Sequence, residues 1–544
     1  MTLHPNRSVR RWENRPPGLV LAVACLVALA PLPVAADDDD GGSGGGSGSG
    51  SESHAGRFST YEGTKTCLAC HRAEALEVHP TSHYQWKGDA RDVVGALSPQ
   101  AGKLGGINDF CIYPDVNWIG TMTNAAGKVV PGGCARCHAG AGRKPSPTVT
   151  DDTELENIDC LMCHQDRYKR KVEVVNGEMR FVPDEAAMGM TALQAAQTVT
   201  KPTKDACLNC HERSGGGPNF KRGDLEPAHR NPTASFDVHM ASTSQGGAGL
   251  SCLSCHEGGD HRIAGRGIDL MGRDTTLGVT CTQCHSPAPH DESRLNRHTA
   301  RVNCNVCHIP YYAKIAETDM DRDYSAPPVL DPATGLYEPF MVRRTNVVPE
   351  YRFWNGRSTF YQFGQAAVPG ANGRVLMAGP VGSVNDAGAK IQPLKVHLGR
   401  QPIDPVTRQL LPLKMGILFQ TGDVPKAVEE GVKAVGWAWN GYQFQETERF
   451  MGLFHEVAPS DDALSCASCH SDKVKFQLST SRIDFAALGY QPKATRNGKP
   501  LCASCHRDKT NEWNGDVFFS KVHAKHVDDK KLDCSSCHGF RKAA

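Results

Sequence analysis

Cys134-Ala135-Arg136-Cys137-His138 is the second of ten copies of one pattern, in which two cysteines three residues apart are followed directly by histidine. The ten copies use 20 of the 22 cysteines in this chain of 544 residues. The other nine are Cys67, Cys70, His71; Cys160, Cys163, His164; Cys207, Cys210, His211; Cys252, Cys255, His256; Cys281, Cys284, His285; Cys304, Cys307, His308; Cys466, Cys469, His470; Cys502, Cys505, His506; and Cys534, Cys537, His538.

The spacing of the pattern has a specific chemical use. Two thiols at this distance can each form a thioether with a vinyl group of one haem, and the next histidine then lies under the iron. Zinc sites also use paired cysteines, but they do not need a histidine after every second cysteine. A disulfide within a pair would close a small, strained loop. The sequence therefore predicts ten covalently bound c-type haems, with the motif histidines as iron ligands.

Composition sets limits on the fold class. Hydrophobic residues make up 39% of the chain, below the ~45–50% of typical globular proteins. The formal net charge of +1 lacks the excess of basic residues found in nucleic-acid-binding proteins, and the mean hydropathy of −0.42 excludes a polytopic membrane protein. Because haems can replace part of an aliphatic core, we expect mainly short α-helices and long loops wrapped round a stack of haems, with little β-sheet.

The first residues resemble an export signal. Arg7, Arg10, Arg11 and Arg15 precede an apolar run over 18–30, and small residues follow as far as Ala36. This pattern predicts a secretory signal peptide over 1–36, cleaved near Ala36, and a periplasmic protein. A lipid anchor at Cys25 is the alternative.

Three further segments follow the signal. Residues 37–57 are rich in Asp, Gly and Ser, which indicates a flexible linker. Residues 58–475 hold the first eight motifs, and 476–544 hold the last two, which we interpret as an appended dihaem module.

Haems ligated by two histidines need one distal histidine each. The number of histidines outside the motifs is close to this demand, so most of them are predicted to bind iron. His54, at the edge of the linker, is left out of this set. The predicted distal ligands are His79, His83, His229, His239, His261, His290, His298, His397, His455, His523 and His526.

Several segments resemble the octahaem tetrathionate reductase family more specifically than the haem motif does. The first are 108–112, 134–140, 159–164 and 166–169. Further matches are 237–240, 261–265, 269–271, 296–299, 304–310, 395–397 and 455–459. The resemblance covers about 58–475, and the chain departs from it in having two more motifs. A second departure is Arg222, where a histidine ligand is expected; His229 is the candidate substitute.

The resemblance implies an active site at the second haem. There the proximal ligand is His138, and the distal ligand is the Lys169 amine instead of a histidine, with its basic neighbours Arg170 and Lys171 as the alternative positions. Asp166 and Cys111 are the implied neighbours. Cys111 is the one cysteine outside the motifs that remains after removal of the signal, and its bland alternative is a buried thiol that packs as a small apolar side chain.

The function implied is that of a periplasmic multihaem reductase. It would pass electrons through bis-histidine haems to the second haem and reduce tetrathionate, a nitrogen oxyanion or hydroxylamine. The expected partners are quinol-linked redox proteins or periplasmic cytochromes and a small inorganic anion, with no nucleic acid; oligomerisation is left open. The alternative is an electron-transfer conduit without substrate chemistry of its own.

Overall fold

A computed structural model describes most of the chain between residues 54 and 542. The described residues are 54–110, 112–265, 275–276, 278–465, 468–469, 482–485, 487–492, 495–496, 499–500, 524–530 and 540–542. The first seven haem motifs lie within them. Within this part of the chain, we find no helix with the length and apolar character needed to cross a lipid bilayer.

The helices are short, as the motif spacing predicts. They are α1 (Thr64–Val78), α2 (Ser82–Gln85), α3 (Asp152–Leu155), α4 (Leu161–His164), α5 (Glu185–Met188), α6 (Ala192–Gln197), α7 (Lys204–His211), α8 (Ser293–His298), α9 (Cys304–His308), α10 (Met415–Thr421) and α11 (Val424–Ala434). Motif histidines end α4, α7 and α9. In α1 the helix is kinked at a motif histidine, because His71 has non-helical dihedral angles of φ −116° and ψ 35°. Several motifs therefore place their histidine where the helix stops.

Four two-stranded hairpins connect the motif helices. They are β1 (Lys87–Asp89) with β2 (Gln100–Gly102), β3 (Gly120–Thr123) with β4 (Val129–Gly132), β5 (Arg170–Val175) with β6 (Glu178–Pro183), and β7 (Gly258–Gly259) with β8 (Arg262–Ile263). The β5–β6 turn is Asn176-Gly177, and both residues have positive φ. That conformation matches the right-handed twist of a tight hairpin.

The segment between the seventh and eighth motifs forms a seven-stranded sheet. Its strands are β9 (Thr318–Asp323), β12 (Phe340–Arg344), β13 (Glu350–Trp354), β14 (Arg357–Phe360), β15 (Val375–Val381), β16 (Lys390–Ile403) and β17 (Gln443–Gly452). The order is β12-β9-β16-β17-β15-β14, and β13 also pairs with β16. Pairs β9–β16 and β15–β17 are parallel, and the others are antiparallel.

The remaining strands are short. Strands β10 (Val329–Asp331) and β11 (Leu336–Glu338) form a hairpin. Near the C-terminus β18 (Tyr490–Pro492) pairs with β21 (Phe540–Lys542), and β19 (Thr495–Arg496) pairs with β20 (Lys499–Pro500).

The expectation of little β-sheet does not describe this part of the chain. The 318–452 region contains no haem motif, so it must bury side chains of its own. Its largest core cluster includes Met377, Leu411, Leu418 and Val428, which join the sheet to α10 and α11. Ile112 belongs to the same cluster, so the loop that precedes the second motif packs on this sheet-based core.

A buried ion network fixes that loop to the sheet. The Asp109 carboxylate lies 2.5 Å from Arg449 Nε and 2.5 Å from His397 Nδ1, and all three side chains are buried. Burial acts to raise the pKa of Asp109, but Arg449 and His397 outweigh it and the net shift is downward. The Arg322 guanidinium donates to the Phe110 carbonyl and lies 2.8 Å from Asp319. Ionised Asp109 is therefore held by side chains from two strands, Arg449 of β17 and His397 of β16.

Removing one partner of this network should be costly. We expect Arg449→Met to lower the free energy of unfolding by about 3–5 kcal/mol, because it leaves the Asp109 carboxylate buried without its main cation. Chemical denaturation of the holo-protein measures the change. The control is Arg400→Gln, which removes a half-exposed pair with Glu446 from the same sheet and should cost less than about 1 kcal/mol. Equal losses in the two variants would contradict the network's importance.

Candidate haem sites and the second motif

Several motif histidines are oriented by a hydrogen bond from their inner ring nitrogen. His164 Nδ1 lies 2.9 Å from the Thr200 carbonyl, and His256 Nδ1 lies 2.8 Å from the Ala264 carbonyl. A carbonyl accepts from Nδ1–H, so the free lone pair is on Nε2, the nitrogen available to a metal. This is the arrangement expected of a proximal haem ligand.

Six of the seven described motif histidines face a second histidine. A histidine nitrogen binds a metal at about 2 Å, so imidazoles on opposite sides of one iron have ring centroids roughly 6 Å apart. The centroid distances are 5.9 Å for His71–His54, 6.4 Å for His164–His261, 6.1 Å for His211–His83, 6.1 Å for His256–His455, 6.0 Å for His285–His239 and 6.1 Å for His308–His290. The spacing fits haem iron at all six positions.

Five of these distal partners were expected from the sequence, and one was missed. His54 borders the linker and has no motif of its own, so its local sequence carries no ligand signal. The structure nevertheless places its ring opposite His71. A count of available histidines was the only signal that could have included it.

Three histidines predicted to bind iron have other neighbours. His397 has Asp109 on Nδ1 and Asp319 Oδ2 3.5 Å from Nε2, so carboxylates face both nitrogens. His79 Nε2 lies 3.4 Å from Gln85 Nε2 and 3.7 Å from Glu154. In this structure the rings of His79 and His397 face polar side chains and no motif histidine, and their assignments as iron ligands stay predictions.

His229 faces no unpaired motif histidine among the described residues, and its assignment as a distal ligand stays a prediction. Its buried ring lies edge-on to His455 at 6.3 Å, but His455 already faces His256. Its Nδ1 lies 3.1 Å from the Glu226 carbonyl, and Asp237 Oδ2 lies 3.9 Å from Nε2. Arg222, where the resemblance led us to expect a histidine, pairs with buried Asp224.

Some predicted site residues lie outside the described part of the chain. They are Cys111, Cys466, His470, Cys502, Cys505, His506, His523, Cys534, Cys537 and His538. His298 ends α8 and His526 lies in the 524–529 helical turn. Their assignments as haem residues stay predictions.

The second motif differs from the other six described motifs. His138 is fully buried, and its ring packs against Tyr84, Trp86 and Trp118 at centroid distances of 5.1, 5.9 and 4.9 Å. Its Nε2 lies 2.5 Å from the Tyr84 carbonyl, and within the described residues no histidine ring faces it. Burial lowers the pKa of His138 to about 4, so the imidazole is neutral. Its Nε2 meets the carbonyl and its buried Nδ1 has no hydrogen-bond partner, which is the reverse of the arrangement at His164 and His256.

Two of the residues implied for the active site, Asp166 and Lys169, lie on the chain that follows the third motif. Lys169 has an exposed side chain, and its carbonyl accepts from the Asp184 amide at 2.8 Å. Asp166 accepts from the Thr203 hydroxyl at 2.5 Å. Arg170, which the sequence offered as an alternative to Lys169, contacts the second motif, because its guanidinium bonds the carbonyls of Ala135 and Arg136.

Cysteines of different motifs lie in contact. The contacting thiols are Cys67 with Cys160, Cys137 with Cys210, Cys207 with Cys252, and Cys281 with Cys304. Since each thiol marks one edge of a haem, the first motif adjoins the third, the second and fifth adjoin the fourth, and the sixth adjoins the seventh. The second motif therefore adjoins the fourth, whose His211 faces His83. Within the described residues, no histidine faces His138 of the second motif itself.

Comparisons with known proteins indicate the class of protein to which this chain is similar. Residues 340–473 match the family model described as "Cytochrome c bacterial". The crystal structure of an octaheme cytochrome c from Shewanella oneidensis matches with a TM-score of 0.63 and 28% identity, covering 80% of this chain and 95% of that one. Together with the paired histidines, these matches define a multihaem c-type cytochrome with a redox function.

A protein of Archaeoglobus fulgidus, described as uncharacterized, is 32% identical over 249 residues. The match covers 39% of this chain and 79% of that protein. The chain belongs to the same family as this archaeal protein.

The pairing predicts the effect of removing His54. We expect His54→Gln to lower the number of bis-histidine haems by one, because the iron above His71 loses its distal imidazole. Near-infrared magnetic circular dichroism of the oxidised holo-protein counts bis-imidazole haems. The control is His79→Gln, which removes a histidine of the same N-terminal region that faces Gln85 and Glu154. If His79→Gln lowers the count and His54→Gln does not, the pairing is wrong.

Proposed function

We propose that this protein is a periplasmic oxidoreductase that reduces a small inorganic anion at the second haem motif. The observation that supports this site is the environment of His138, which has no facing histidine where six other motifs have one. An iron held by two imidazoles has no free position for a substrate. The motif that departs from this arrangement is the best candidate for chemistry.

The residues that would hold the second haem are Cys134 and Cys137 through thioethers, His138 on one side of the iron and Lys169 on the other. When bound, haem iron accepts and donates single electrons at a potential set by its ligands and surroundings. Lys169 suits the distal role because its side chain is exposed and has a flexible four-carbon stem.

An amine ligand gives the chain a proton donor that an imidazole pair lacks. Once displaced by substrate, the Lys169 ammonium would hold a proton at Nζ and could donate it to a substrate oxygen. Asp166 lies three residues earlier, where its carboxylate accepts from the Thr203 hydroxyl. In the proposed site it would orient the lysine or relay a proton. Cys111, whose position is outside the described residues, would supply a thiol able to attack or hold a sulfur atom.

The substrate class follows from these groups. Cationic side chains near the second motif, including Arg136, Arg170 and Lys169, favour an anion. Tetrathionate is split at its central S–S bond by two electrons into two thiosulfate ions, and it suits a thiol at the site. Nitrite, which takes six electrons, and hydroxylamine are the other candidates, and a chain of many haems serves each of them. Quinol-linked proteins or periplasmic cytochromes would supply the electrons.

A second candidate is an electron conduit without substrate chemistry of its own. The observation that favours it is the presence of two motifs, at 502–506 and 534–538, beyond the region that resembles octahaem reductases. Extra terminal haems suit docking or relay. The two functions differ in what they require of Lys169, because a conduit needs only a closed low-spin iron there.

Substitution of Lys169 separates the two candidates. We expect Lys169→His to keep every haem but abolish turnover, because imidazole closes the iron and cannot be displaced as readily as the amine. The measurement is steady-state oxidation of a reduced dye by tetrathionate, nitrite and hydroxylamine. Unchanged electron exchange together with no turnover in the wild-type protein would instead support the conduit.

The matched control for this test is Lys171→His. Lys171 is two residues away, and its exposed ammonium pairs with Glu173 at 2.7 Å. We expect this variant to behave as wild type in both turnover and spectrum. If it loses activity as Lys169→His does, the distal ligand is misassigned.

The motif count gives a separate prediction. A pyridine haemochrome titration of the holo-protein should return ten haems per chain, because each motif attaches one haem through its two thiols. Changing both cysteines of the tenth motif, Cys534 and Cys537, to serine should lower the result by one. Eight or fewer haems in the wild-type protein would contradict the assignment of the last two motifs.

A further inference from the structure

Arg170 is buried at the base of the β5–β6 hairpin, directly after Lys169. Its side chain is 8% exposed, and its guanidinium lies 4.3 Å from the centre of the Phe181 ring. A buried guanidinium must find partners for its donors, because an unpaired charge in this position is costly. The partners that it finds come from two haem motifs.

The first group of partners belongs to the second motif. Arg170 Nη2 donates to the Arg136 carbonyl at 2.8 Å and to the Ala135 carbonyl at 3.4 Å, and Nη1 donates to the Gly140 carbonyl at 2.9 Å. These carbonyls lie on both sides of His138 in the sequence. The planar fork of one arginine thus spans the loop that carries the motif histidine.

The second partner belongs to the third motif. Arg170 Nη1 lies 3.1 Å from Asp159 Oδ2, and Asp159 directly precedes Cys160. Burial raises the pKa of Asp159, and the Arg170 charge is the strongest influence that opposes the rise. Backbone bonds support the same junction, since the Asp159 amide donates to the Ala139 carbonyl and the Ala141 amide to the Asn157 carbonyl. Arg170 therefore completes a connection between two motif loops.

A second contact holds the backbone of Lys169. Its carbonyl accepts from the Asp184 amide at 2.8 Å, just after β6. With Arg170 bound to the motif loop and the Lys169 carbonyl bound to Asp184, the backbone at residue 169 has little freedom. The Lys169 side chain itself is exposed.

We propose that Arg170 is a positioning residue that fixes the Lys169 backbone relative to the His138 loop. This inference rests on the proposed function, in which Lys169 is the distal ligand of the second haem. An amine on a long stem needs a fixed base, because a displacement of about 1 Å can cost roughly a hundredfold in rate. The clamp couples the position of the amine to the motif that it serves.

Arg170→Gln tests the clamp. We expect the haem number to stay at the wild-type value and the imidazole–amine band in near-infrared magnetic circular dichroism to be lost or split. We also expect kcat to fall by roughly tenfold to a hundredfold with little change in KM, because the amine is misplaced but the substrate anion is still attracted. Arg170→Lys keeps the charge but cannot span all four oxygen partners. Its kcat should therefore lie between those of the wild-type protein and Arg170→Gln.

Two control variants separate the clamp from general stability. Arg180→Gln changes another largely buried arginine of the same hairpin, which bonds Asn157 and Glu178 and not the 134–140 loop. It should leave the band and kcat unchanged. Asp159→Asn removes only the ion pair and leaves the three carbonyl contacts, so its effect on kcat should be smaller than that of Arg170→Gln.

Failure of this inference can be distinguished from failure of the proposed function. If Lys169→His abolishes turnover while Arg170→Gln keeps the wild-type band and kcat, the clamp is wrong and the proposed function stands. If Arg170→Gln lowers the haem number, its role is in folding and haem attachment, and the inference is overturned. If Lys169→His leaves the imidazole–amine band and turnover intact, the proposed function fails, and this inference fails with it.

Discussion

Two imidazoles must face each other across one iron, and the chain is arranged to meet that requirement. The motif supplies one imidazole locally, where a short helix ends or bends, as at His164 and His71. The other comes from wherever the chain passes the opposite face, which for His256 is His455, about 200 residues away. This pair, like His83 with His211 and His164 with His261, is a long-range contact that joins distant segments. Tertiary structure in the motif-rich region follows from these pairs more than from an aliphatic core.

The region without motifs is stabilised by an apolar core and not by histidine pairs. Over 318–452 no haem is attached, and the chain forms a seven-stranded sheet with an apolar core against α10 and α11. The same sheet carries Arg449 and His397, which hold Asp109 in the loop before the second motif. A rigid sheet is well suited to this task, because its strands fix charged side chains with little freedom. The sheet therefore braces a haem loop although it binds no haem itself.

The sequence predicted local chemistry well and long-range partners incompletely. The motif spacing predicts a proximal histidine for each of the seven described motifs, because thioether formation and ligation are local. The histidine count included five residues whose rings face a motif histidine and two whose rings do not. The five are His83, His239, His261, His290 and His455, and the two are His79 and His397. Nothing in the neighbourhood of His397 in the sequence reveals Asp109, which is 288 residues away. The sheet was missed for a related reason: expecting haem to replace the core ignored a long segment that has no haem.

The second motif carries a motif histidine, but apolar packing and not a facing imidazole holds its ring. Its histidine is packed among Tyr84, Trp86 and Trp118, so the ring is held by apolar contacts that need no facing imidazole. A rigid imidazole pair largely orients itself, since both rings are short and planar. A lysine side chain is long and flexible, so any precision in its position must come from the backbone that carries it. Arg170 and Asp184 supply such constraints on either side of residue 169. If Lys169 is the displaceable ligand that we propose, its amine can leave the iron while its backbone stays fixed to the His138 loop.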